Sequence, residues 1–179
     1  MILETERLGL RKIVSADAPF ILELVNDPDW LKNIGDRGVR TLDDAAEFIA
    51  EGPLASYSRH GYGLWLAELR DDHTPVGMCG VLKRSNLRYP DLGYALLPAF
   101  RGAGYAIEAC RGVLEYARTD LGIETAMAIV APANAKSIKL LEKLSFGGAG
   151  TVLMPGQSEE VLLFQRTLVQ NQAQDQANE

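Results

Sequence analysis

"DLGYALLPAFRGAGYAIEA", residues 91–109, decides how this chain is read. Its first seven residues, "DLGYALL", are short and apolar, as a strand is. From about Tyr105 to Thr119 the pattern changes. Ile107, Cys110, Leu114 and Ala117 recur at spacings of three and four, which gives a helix with one buried stripe, closed by Gly122. The residues between must turn the chain from strand to helix. Gly102 and Gly104 lack a Cβ, so a ligand can approach the backbone there closely. The N–H groups at a helix start are unpaired and carry partial positive charge, which suits a phosphate. A loop that uses glycine only to turn has the same composition.

Two well-known phosphate loops do not fit. A Walker loop needs glycine followed by lysine, and the chain has no Gly-Lys pair. A dinucleotide fingerprint needs a small residue at position 107 and an acid ending the next strand. Ile107 stands there, and that strand ends "IVAPA". What remains is Arg-x-x-Gly-x-Ala, Arg101 to Ala106.

Working outward, "ETERLGLRKI" alternates as a strand does. "SADAPFILELVNDP" reads as a helix capped by Ser15, and "TLDDAAEFIAEG" as a second, from Thr41 to Gly52. "DWLKNIGDRGVR" between them reads as irregular, as does "YSRHGYG". "GLWLAELR" and "PVGMCGVLKR" form a hairpin across Asp71–Thr74. "TAMAIV" is a central strand, "NAKSIKLLEKL" a helix, and "GAGTVLM" with "EEVLLFQRTL" a last strand pair. Residues 169–179 contain four glutamines and little to bury, and read as a disordered tail. The expected fold class is α/β: one domain, residues 1–168, with a mixed central sheet of six to seven strands and about four helices.

The 179 residues suffice for one full core, with 47% hydrophobic and 23% charged residues. A net charge of −6 argues against nucleic-acid binding, which needs a basic face. No run is long and apolar enough for a membrane span, and the start lacks a signal peptide's apolar core. Cys79 and Cys110 have no paired spacing, and His60 and His73 no metal-ligand spacing, so a cytoplasmic protein without disulfide or metal is expected.

The string 91–109, followed by "NAKSIKLLEKLSF", resembles the GNAT superfamily of acyl-CoA-dependent N-acetyltransferases. "ETERLGLRK" is similar to the start of its RimJ/RimL-type branch, the protein N-terminal acetyltransferases and their relatives. The likeness runs from Ile2 to Leu168. It implies acetyl-CoA as cosubstrate and a sheet that splays between "DLGYALL" and "TAMAIV" to take the pantetheine arm. Leu96 and Leu97 would offer backbone groups to that arm, with a backbone N–H near Leu97 polarising the thioester. Arg101, Gly102, Ala103, Gly104, Tyr105 and Ala106 would surround the pyrophosphate, and Asn134 would bond the arm. Asn134 is equally placed to cap its helix.

The resemblance also implies direct attack by an amine in a ternary complex. Many members carry an acidic tyrosine on the last helix, where this chain has Leu141. The RimJ/RimL-type branch points instead to Ser137, also a residue favoured in a first helical turn. Asp91 occupies the family's carboxylate position and is the candidate base, acting through water, or else a solvated residue at a strand start. Glu108 matches a family glutamate and would also suit the helix dipole. Lys136, Lys139 and Lys143 form a basic edge, either for a 3′-phosphate or solvated. Trp30 and Arg37, in the irregular segment, are candidate acceptor-binding residues, Trp30 as a pocket wall or a helix-packing aromatic. The acceptor would be a small-molecule amine or a protein N-terminus, and the protein a monomer or homodimer. A catalytically silent acyl-CoA-binding sensor or interaction module is the alternative.

Overall fold

In the computed structural model, residues 1–169 are described. The tail expected from residue 169 thus lies, apart from Val169, outside the described residues. Eight strands form one sheet: β1 Leu3–Glu4, β2 Leu8–Lys12, β3 Leu64–Leu69, β4 Pro75–Leu82, β5 Asp91–Leu96, β6 Thr125–Val130, β7 Gly147–Leu153 and β8 Glu160–Thr167. The order across the sheet is β1-β2-β3-β4-β5-β6-β8-β7. Only β5 and β6 run parallel, because α5, Tyr105–Thr119, carries the chain back between them.

That sheet has more strands than the six to seven expected, chiefly because "ETERLGLRKI" splits at its Thr5–Leu8 turn into β1 and β2. The helices also exceed the expected four. They are α1 Ala18–Val25, α2 Pro28–Asn33, α3 Leu42–Ile49, α4 Ala55–His60, α5, and α6 Ala135–Lys143. The segment read as irregular opens with α2. Asp27 caps it, accepting from Asp29 N–H at 3.1 Å, and Pro28 fits the first turn. The same Asp-Pro pair that stops α1 therefore starts the next helix. A single widened turn, Ala50–Leu54, carries α3 past Gly52 and Pro53 into α4, which covers most of "YSRHGYG". Ser15 heads a short 3-10 turn, and α1 itself begins after Asp17.

Strand alternation divides the core between two faces. Leu8, Leu10, Trp65, Cys79, Leu92 and Leu96 pack on one face with α5 residues Cys110 and Leu114 and α6 residue Leu141. Ile13, Leu66, Met78 and Leu97 pack on the other with α1 and α3. Gly77 lets β4 press against β5 beside Leu96: a Cβ there would lie 2.2 Å from the Ala95 carbonyl oxygen.

Candidate acyl-transfer site

The stretch after β5 builds a bare helix start. A 3-10 turn, Pro98–Phe100, leads into the glycine loop. Gly102 and Gly104 have φ of +80° and +87°, the left-handed region in which a side chain is strained. Gly104 is the N-cap of α5 and has no side chain with which to cap it. Glu108 is the first residue of this turn whose N–H finds a partner, the Gly104 carbonyl at 3.1 Å; those of Gly102 to Ile107 have none among the described residues. A Cβ on Gly102 would meet nothing within 4 Å, so the space before these donors is open. This is the geometry of an anion cradle at the start of a 15-residue helix.

The turn between β1 and β2 latches the loop. Glu108 accepts from Thr5 Oγ1 at 2.6 Å, Arg7 N–H at 2.8 Å and Arg7 Nε at 2.7 Å, and pairs with Arg7 Nη2 at 2.6 Å. Arg7 Nη1 reaches on to the Ala103 carbonyl at 2.9 Å, and its guanidinium lies over the Tyr105 ring. Burial alone would raise the Glu108 pKa. The bonds from Thr5 and Arg7 outweigh it and hold the carboxyl below its ordinary range. A cavity of about 400 Å³ lies against this latch, lined by Arg7, Ile107 and Arg111 among others, and shares no residue with the split described next.

Arg101 behaves differently from the sequence expectation. Its backbone opens the loop, but its guanidinium turns toward α2, donating to Asp29 at 2.8 Å and to Asp27. Its Nε donates to the Leu96 carbonyl at 2.9 Å. The side-chain charge is thus spent on two carboxylates.

β5 and β6 share one registered pair, Asp91 with Met127, where Met127 N–H donates to Pro90 O at 2.8 Å. Beyond it the strands part. β4 stays paired along β5, and β8 along β6. Leu97 N–H donates to Val76 O at 2.9 Å, so by antiparallel alternation Ala95 and Gly93 also bond toward β4. The peptide edge of Leu92 belongs to that one pair with Met127, and those of Tyr94 and Leu96 face the split. The N–H of Leu97 itself is therefore occupied, and that of Leu96 is the backbone donor near it that faces the split.

Tyr94 projects from β5 onto the first turn of α6. Its hydroxyl lies 2.5 Å from Ser137 Oγ. Asn134 caps α6, accepting from Ser137 N–H at 3.1 Å. Burial drives the Tyr94 pKa up; the Ser137 hydrogen bond opposes this without reversing it. Leu141, one turn further along α6, is 1% exposed and belongs to the core. Cys79 and Cys110 lie buried with sulfurs 3.7 Å apart as free thiols, and burial pushes the Cys110 pKa up. Sequence reasoning missed Tyr94. The hint available was its strand parity, which points it toward the face that α6 covers.

At the closed end of the split Asp91 is 1% exposed. Arg84 Nε lies 2.9 and 3.0 Å from its two oxygens. Burial raises the Asp91 pKa against the opposing pull of Arg84. Arg37 is an exposed residue; its pKa is lowered, first by partial burial and then by the charge of Arg84. Arg37 makes no ion pair among the described residues, whereas Asn86 beside Arg84 donates to Met154 Sδ at 3.3 Å. Trp30 is 6% exposed and packs in the second core with Ile13, Val39 and Leu97. Lys136, Lys139 and Lys143 are exposed. His73 pairs with Glu68 at 2.8 Å. No cluster of metal-ligating side chains occurs among the described residues, and no described helix is long and apolar enough to cross a membrane.

A split parallel pair, with a bare helix start at its mouth and a hydroxyl from each side, defines an acyl-CoA-dependent transferase fold. Residues 7–147 match the acetyltransferase (GNAT) domain family, and the chain belongs to it. The uncharacterized N-acetyltransferase p20 of Bacillus licheniformis is 30% identical over 151 residues, 83% of each chain. YkkB of Bacillus subtilis, uncharacterized, is 28% identical over 153 residues, 84% of this chain and 87% of that one. In fold the chain is similar to an acetyltransferase from Agrobacterium tumefaciens, with TM-score 0.77, 24% identity and 92% of both chains covered. It is also similar to the Vibrio cholerae spermidine N-acetyltransferase in complex with CoA and spermine, with TM-score 0.74, 19% identity, and 90% and 95% covered. The protein is an acetyl-CoA-dependent N-acyltransferase.

Proposed function

We propose that the chain transfers acetyl from acetyl-CoA directly to a primary amine that also carries an anionic group, an amino acid or the N-terminus of a peptide that bears a nearby carboxylate, rather than a polyamine. The observation behind the choice of acceptor is the charge at the closed end of the split. Arg37 and Arg84 bring two cations there against one buried carboxylate, Asp91. A polyamine would meet repulsion at that point; a carboxylate would find a guanidinium with no partner.

Acetyl-CoA supplies the activated acyl group. The amides of residues 102–106 hold its pyrophosphate, and Leu96 offers its N–H to the split, where it polarises the acyl carbonyl. Ser137 Oγ stands on the opposite wall as hydrogen-bond donor to the departing sulfur. Asp91 is clamped by Arg84 on both oxygens, which makes it a poor proton acceptor despite its raised pKa. We assign it the task of holding Arg84 at the acceptor end, in place of the base role the sequence suggests, and leave the amine's proton to water.

An acceptor screen tests this. Peptides with varied first residues, free amino acids, aminoglycosides and spermidine are supplied with acetyl-CoA, and release of thiol is followed. Carboxylate-bearing amines should react best, and Arg37→Ala should raise their KM with little effect on that for acetyl-CoA. Preference for spermidine would refute the acceptor class. Binding of acetyl-CoA without turnover on any amine would favour a silent binding module.

A further inference from the structure

The hydroxyls of Tyr94 and Ser137 meet across the split at 2.5 Å, one from β5 and one from α6. They come from parts of the sequence 43 residues apart. We infer that Tyr94 is a positioning residue for Ser137: its phenol donates to Ser137 Oγ and so directs the single serine proton toward the leaving sulfur. This rests on the proposed transfer reaction.

The direction of the bond follows from proton inventory. A serine hydroxyl has one hydrogen to give and two lone pairs to receive with. If Ser137 donated to Tyr94, it would have nothing left for the sulfur. Tyr94 can be the donor at all working pH values, because burial holds its phenol protonated. Ser137 Oγ is its only hydrogen-bond partner among the described residues. Donation into Ser137 also polarises the serine O–H, as chained hydrogen bonds do. Asn134 fixes the other end of the arrangement by capping the turn that carries Ser137.

No proton has to leave Tyr94 or Ser137. When the C–S bond breaks, its electron pair stays on sulfur and the new C–N bond takes its place on the carbonyl carbon. The ammonium proton released by the amine goes to water. The hydroxyl pair only stabilises the thiolate, so a phenol too weak to act as an acid still serves.

Coenzyme A itself is the probe, since free CoA carries the thiolate without needing an acceptor. Calorimetry compares CoA with desulfo-CoA, and ultraviolet absorption follows ionisation of the bound thiol. The wild type should bring the bound thiol below the ordinary value of about 8.5. It should therefore gain affinity for CoA with rising pH while its affinity for desulfo-CoA stays flat. Tyr94→Phe and Ser137→Ala should each weaken thiolate binding roughly tenfold to a hundredfold, the size of one hydrogen bond to a charge, and leave desulfo-CoA affinity unchanged. The double variant should lose little more than either single, because the two act as one unit. A wild-type thiol pKa in Tyr94→Phe, with Ser137→Ala impaired, would overturn the role of Tyr94 and leave the transferase reading intact. A folded wild type that binds neither CoA nor desulfo-CoA would overturn both.

Discussion

Glu108→Ala is the perturbation that most directly tests how the glycine loop is held. The carboxylate gathers three hydrogen bonds and an ion pair from Thr5 and Arg7, and its side chain is 16% exposed. Each bond to a charged group is worth roughly 1.5–3 kcal/mol when broken. The sum is not recovered in full. Arg7 is 42% exposed and returns to water, and Thr5 keeps its bond to Leu8 O. The backbone N–H of Arg7 is left without its partner. A net loss of about 2–4 kcal/mol is expected, or about 4–16 °C in Tm for a chain of this size. Denaturant unfolding with an unchanged m-value gives the number. The Michaelis constant for acetyl-CoA should rise severalfold with kcat nearly constant, because Arg7 no longer braces Ala103. Acid should reproduce the effect. The folded pKa of Glu108 lies below its ordinary 4.5, so its contribution is complete above that value. It fades as pH falls through the lowered folded value. A loss under about 0.5 kcal/mol, within the range of an ordinary surface substitution, would refute the latch.

Gly104→Val should place a branched side chain at φ +87°, 3.3 Å or less from Arg7, and raise the calorimetric Kd for CoA at least tenfold in a protein that still folds. Arg84→Ala should strand the Asp91 carboxylate in the core and cost about 3–5 kcal/mol by denaturant unfolding, with Arg84→Ala/Asp91→Asn recovering much of it. Trp30→Ala should cost about 3–5 kcal/mol in the same assay, the penalty for emptying a core site; a smaller loss together with a raised KM for the amine would return Trp30 to the pocket wall.

The strand, loop and helix of residues 91–119 were legible because period, glycine placement and helix stop agree there. The split was legible only through resemblance, since nothing in the strand "TAMAIV" says it pairs with β5 at one residue. α2 was hidden by Asp27-Pro28, a pair that ends one helix and begins another. α4 was hidden by Gly52 and Pro53, which usually break helices but here occupy a widened turn. The loop residues were readable as a backbone cradle. The turning of Arg101 toward Asp27 and Asp29 was not, because it depends on partners 72 and 74 residues away. The same holds for Tyr94 and Ser137, whose meeting is a product of topology rather than of local pattern.

The lone backbone pair between β5 and β6 makes the sheet two cooperative blocks with a seam. Strands β1 to β5 form one, and β6 to β8 the other. Across that seam the ladder offers almost nothing, so the α5 crossover and the side-chain core carry the coupling. A pantetheine arm bonded to the Leu96 edge would add rungs where the chain has left them out, and the cosubstrate would act as a structural strand as well as a reagent. Amide hydrogen exchange reads this directly: without ligand, Tyr94 and Leu96 should exchange by local opening far faster than their β4-facing neighbours Gly93 and Ala95, and with CoA that two-residue rhythm should flatten.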